Sequence, residues 1–100
     1  MKALLLALLM LSPVSAATFT LGWDANPASD LVTQYTLYEY AGAQWTKVIS
    51  VPATETQVTL MGVPQGTHEY AVTAKNMVGG SLLSASLRLR VRTNGRISKI

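Results

Sequence analysis

The sequence predicts an all-β fold, a sandwich of two antiparallel sheets. Three observations lead there. Past residue 17, short runs rich in Val, Thr and Tyr alternate apolar and polar residues with period two. Clusters of Gly, Pro, Asn and Ser separate these runs at short intervals. No helical periodicity of useful length follows residue 17, and 100 residues is the size of one domain.

The strands come in order. Thr18–Trp23 carries Phe19, Leu21 and Trp23 on one face, and the Asn26-Pro27 dipeptide marks a loop from Asp24 to Gln34. Gln34–Tyr40 points Tyr35 and Leu37 one way and Thr36, Tyr38 and Tyr40 the other. A turn at Ala41-Gly42-Ala43 precedes a short strand, Gln44–Ser50, with Trp45 and Val48. Thr56–Met61 turns Val58 and Leu60 inward, and His68–Asn76 does the same with Tyr70, Val72 and Ala74. Met77–Leu83 reads as a hairpin loop around Gly79-Gly80. Ser84–Arg92 sets Leu87, Leu89 and Val91 against Arg88, Arg90 and Arg92, and residues 93–100 read as a flexible basic tail.

The N-terminus has a different character. Met1 and Lys2 lead into an apolar run from Ala3 to Leu11, and small residues follow at Val14 and Ala16. This is the pattern of a secretory leader over residues 1–16, with cleavage expected after Ala16, or after Ala17 as the alternative. The run is about half the ~20 residues that a membrane-spanning helix needs, so no span is expected once the leader is removed. The chain has no cysteine, so this exported domain must be held by packing alone. Without Lys2 of the leader, seven Lys and Arg stand against five Asp and Glu, a formal charge of +2 that by itself is too small to imply nucleic acid.

The order and spacing of these elements resemble a fibronectin type III domain, in a single, bacterial- or phage-type module. The carriers are Leu21-Gly22-Trp23-Asp24, the strand through Tyr35-Thr36-Leu37-Tyr38, Trp45, and above all the stretch from Val58 to Asn76 with its Pro64-Gln65-Gly66-Thr67 corner. The resemblance covers residues 17–92 and implies an immunoglobulin-like sandwich. Trp23, Tyr35, Leu60 and Tyr70 would be its structural residues, and Tyr70 would close a tyrosine corner by bonding the backbone near Leu60 or Gly62. The first strand of the family would be short or missing, because the mature chain begins at the second. That leaves an edge open to self-association.

Chemistry is sparse. His68 is the sole histidine and reads as a solvated turn residue, since zinc would lack further ligands. Asp24, Asn26 and Asp30 fit turn formation better than a calcium loop. No acid, base and nucleophile can be assembled, so neither catalysis nor a cofactor is expected.

The outward residues say more. Tyr38 and Tyr40, with Lys75, Arg88 and Arg90 on neighbouring strands, form a candidate binding face for a protein or carbohydrate partner. The expectation is a secreted, periplasmic or cell-surface binding or adhesion module. The rivals are a structural component of a cell envelope or phage particle, and an accessory carbohydrate-binding domain. Expressed with its own N-terminus in a bacterium, the protein should leave the cytoplasm with its mass lowered by residues 1–16 or 1–17. Mass spectrometry of the periplasmic fraction reads this directly, and an intact, membrane-retained chain would contradict it.

Overall fold

Alternating side chains make each strand two-faced, and two sheets bury the apolar faces against one another. The computed structural model describes residues 6–12, as backbone, and 17–100. Among the described residues eight strands run in order: β1 (Leu6–Ser12), β2 (Ala17–Trp23), β3 (Gln34–Ala41), β4 (Gln44–Pro52), β5 (Gln57–Val63), β6 (Gly66–Lys75), β7 (Leu87–Val91) and β8 (Ile97–Lys99). A three-stranded sheet has the order β1-β2-β5, and a five-stranded sheet the order β4-β3-β6-β7-β8. Every strand pairing is antiparallel.

The core lies between the sheets. Phe19, Leu21 and Trp23 of β2 and Val58 and Val63 of β5 face Tyr35 and Leu37 of β3, Tyr70, Val72 and Ala74 of β6, and Leu87, Leu89 and Val91 of β7. Leu60, opposite Phe19, is half-buried and packs against this cluster. Each fully buried large side chain contributes roughly 1.5–3 kcal/mol. Two edge-to-face aromatic pairs cross the interface, Trp23 on Tyr35 at 5.6 Å and Phe19 on Tyr70 at 6.2 Å. Such pairs add about 0.5–1.5 kcal/mol beyond the area they bury.

Three features depart from the sequence reading. The expected short or missing first strand applies to the chain after residue 16. In the intact chain, β1 takes that place and pairs with β2 from Leu6 opposite Trp23 to Ser12 opposite Thr18. These residues come from within the expected leader, whose start and cleavage site at Ala16 lie outside the described residues.

The second departure corrects the C-terminal tail. Residues 93–100 do not trail away: Gly95, at φ 80°, closes a turn, with the Arg92 N–H bonding the Arg96 carbonyl at 2.8 Å. The chain returns as β8, and Ile97 joins the core at 8% exposure. The signal was present in Asn94-Gly95, a strong hairpin pair.

The third concerns the corner. The Tyr70 ring is buried, but among the described residues its hydroxyl makes no bond to the backbone near Leu60 or Gly62. The tyrosine-to-backbone bond is instead made by Tyr35, whose hydroxyl accepts the buried Asn26 N–H at 2.8 Å. The turn into β6 still requires glycine, since Gly66 sits at φ 128°, a conformation almost no other residue adopts.

Tyr35→Phe should therefore lower stability by about 1 kcal/mol or more, because it removes the hydroxyl that accepts from the buried Asn26 N–H. Tyr70→Phe should stay within about 0.5 kcal/mol, since no bond is lost. Denaturant unfolding of the two variants side by side separates these assignments.

Candidate binding face

The outer face of the five-stranded sheet is set by register. Thr36 lies opposite Thr73, Tyr38 opposite Ala71, and Gln34 opposite Lys75. Across β6, Arg88 lies opposite Glu69 and Arg90 opposite Thr67. The expected residues thus share one face in two groups. Lys75 stands at one end of β6, and Arg88 and Arg90 flank the other, about 20 Å away by strand rise.

β4 completes the face through an irregularity. Leu37 pairs with Ile49, yet Tyr38 pairs with Lys47, so Val48 is an extra residue in the ladder. A bulge of this kind shifts side-chain alternation by one residue. In regular pairing Lys47 would oppose Glu39 on the inner side. The bulge carries Lys47 to the outer side beside Tyr38 and Trp45 beside Tyr40. Trp45 is half-buried there, edge-to-face on Tyr40 at 5.3 Å. Tyr38 is half-exposed and Tyr40 is 45% exposed, so the rings form a partly open aromatic platform along β3 and β4.

Between Lys47 and Lys75 lies a shallow depression of about 310 Å³. Thr36, Ser50, Thr73 and Tyr38 line it with the two lysines. The Thr36 and Ser50 hydroxyls bond each other at 2.8 Å, which leaves oxygen lone pairs in a polar floor.

The inner end of the sandwich holds a polar cluster that the sequence reading missed. His68 is no solvated turn residue: its Nδ1 lies 2.8 Å from a Glu39 carboxylate oxygen and its Nε2 2.9 Å from the Pro64 carbonyl. Both neighbours are acceptors, so both bonds form together only when the ring carries two protons. His68 also stacks on Tyr70, with ring centroids 6.3 Å apart. Burial pushes the Tyr70 hydroxyl well above its ordinary range, and the Glu39 carboxylate adds to that shift. Glu39 lies opposite Tyr70 in the β3–β6 ladder, which brings its carboxylate to His68 two residues earlier on β6.

At the opposite end the loops are tied together. Asn26 donates to Asp30 at 3.0 Å, and Asn76 donates to the Asp30 carbonyl at 2.9 Å. Asn76 also accepts the N–H groups of Val78 and Gly79. This fixes the hairpin loop while Met77 and Val78 remain 95% and 96% exposed. Asp24 and Asn26 lie in the irregular stretch after β2, and Asp30 ends a short 3-10 helix, Ala28–Asp30. Among the described residues, no cluster of three metal-ligating side chains occurs.

Two sheets with this strand order make an immunoglobulin-like sandwich. Within that class the chain has the fold of a fibronectin type III domain. It is similar to the FN1–FN3 domains of chicken CNTN1, with a TM-score of 0.71 and 18% identity, over 92% of this chain and 31% of that one. It is similar to the fibronectin type III domain of human fibronectin type III domain containing protein 3, with a TM-score of 0.62 and 15% identity, over 90% and 86% of the two chains. An FN3tt variant gives 0.62 at 18% identity, over 77% and 82%. No family model matches the chain, and no curated protein matches it in sequence.

His68→Ala should destabilise the domain by about 1 kcal/mol, because it removes the hydrogen bonding of the ring to Glu39 and to the Pro64 carbonyl at a site only partly shielded from water. His68→Gln should recover part of the loss by keeping one donor. Thermal unfolding of both variants checks this, and two neutral substitutions would show that the cluster contributes nothing.

Proposed function

We propose that this protein is an exported, non-catalytic binding module that engages a protein or polysaccharide partner through the outer face of its five-stranded sheet. One observation carries the reading. Tyr38, Tyr40 and Trp45 lie in a row on a face whose lysines and arginines outnumber its acids. Aromatic and arginine side chains supply most of the energy where proteins recognise partners. Fold alone does not assign a partner, so the argument rests on the face. The fibronectin type III fold supports a binding or structural role.

A structural role in an envelope or particle is the second reading, and β2 favours it. Its outer edge is covered by β1, which comes from the expected leader. Removing residues 1–16 would free that edge to take a strand from another copy.

The test replaces Tyr38 and Arg88 together by alanine and compares recovery of envelope material by the wild type and the double variant. Binding should fall by tenfold or more, at about 2 kcal/mol for an anchor, while stability changes by less than about 0.5 kcal/mol. Equal recovery by both proteins would exclude this face. A concentration-dependent oligomer of residues 17–100 would move the assignment to the β2 edge.

A further inference from the structure

Acidic side chains are nearly absent from the outer face. Asp24 and Glu55 lie between strands, Asp30 lies in the loop before β3, and Glu39 turns inward to His68. Glu69 alone remains among the strands of this face, opposite Arg88. Lys47 and Lys75 therefore border the depression with no carboxylate partner among the described residues. Their Cα atoms are about 16 Å apart, from two strand spacings and four residues of rise. That separation exceeds one sugar ring and suits a ligand with repeating charge.

We infer that this depression binds an acidic polysaccharide, with carboxylates held by Lys47 and Lys75 and a sugar ring laid on Tyr38. The inference rests on the outer face being the binding face, and adds to it the ligand class. Charge complementarity calls for an anion. The floor of Thr36, Ser50 and Thr73 offers hydroxyls where a protein-binding site would present an apolar centre. Rings such as Tyr38 and the Tyr40–Trp45 pair give flat surfaces for the C–H faces of sugars. The bulge at Val48 places Lys47 here, so the site depends on a local irregularity and not on strand alternation.

The experiment titrates the exported protein with polygalacturonate, with its fully methyl-esterified form, which keeps the backbone and removes the charge, and with polyglutamate. Polygalacturonate should bind, the ester should bind at least tenfold more weakly, and affinity should fall several-fold when salt is raised to about 0.3 M. The double variant Lys47→Gln, Lys75→Gln should lose about tenfold in affinity for polygalacturonate with an unchanged unfolding curve. No binding of polygalacturonate, or equal binding of the ester, overturns the inference. Binding of polyglutamate as tight as that of polygalacturonate also overturns it, in favour of an acidic protein. Full affinity in the lysine variant places the ligand elsewhere. If these titrations fail while the Tyr38 and Arg88 variant still loses envelope material, the ligand class is wrong and the binding face stands.

Discussion

Trp23 at the end of β2 meets Tyr35 at the start of β3 across the interior, with 5.6 Å between ring centroids. From that contact a chain of bonds runs outward. The Tyr35 hydroxyl holds the Asn26 N–H, the Asn26 side chain holds Asp30, and the Asp30 carbonyl holds Asn76. In a chain without cysteine, this clasp joins the two sheets and the two long loops at one end. It also constrains the backbone between them. Leu31 is held at φ 51° although it is neither glycine nor asparagine, and its side chain remains 75% exposed. Conformations of this kind cost about 1–3 kcal/mol and persist when their surroundings over-determine them.

Much of the fold was legible because burial enforces alternation. Phe19, Leu21 and Trp23, or Leu87, Leu89 and Val91, can face only one way if their polar neighbours are to stay wet. Tyr35 and Tyr70 looked alike by this test, since both face inward. Which hydroxyl finds a backbone partner depends on where the loop from Asp24 to Gln34 runs, and alternation carries no information about that. The end of the chain was misread for a different reason. β8 is three residues long, too short for its alternation to stand out, and only the Asn94-Gly95 turn announced it.

The candidate face was legible on β3, β6 and β7, where pairing is regular, and illegible on β4. A bulge leaves no mark in the count of apolar and polar residues. Trp45 and Lys47 could be assigned to a side only once Val48 was seen to be the residue without an opposite number. The Glu39 and His68 pair was hidden by distance along the chain: residues 29 positions apart become neighbours only through the β3–β6 ladder.

The two tryptophans occupy opposite sides of the five-stranded sheet, Trp23 in the core at 6% exposure and Trp45 on the outer surface against Tyr40. They are the only two in the sequence. Indole emission moves to longer wavelength as its surroundings become more polar, so the protein carries two optical probes of separate events. Trp23 responds when the sheets part, and Trp45 responds when something settles on the surface beside it. Replacing either with phenylalanine leaves a single reporter, so that opening of the core and changes at the outer surface can be followed separately by fluorescence without attaching a dye.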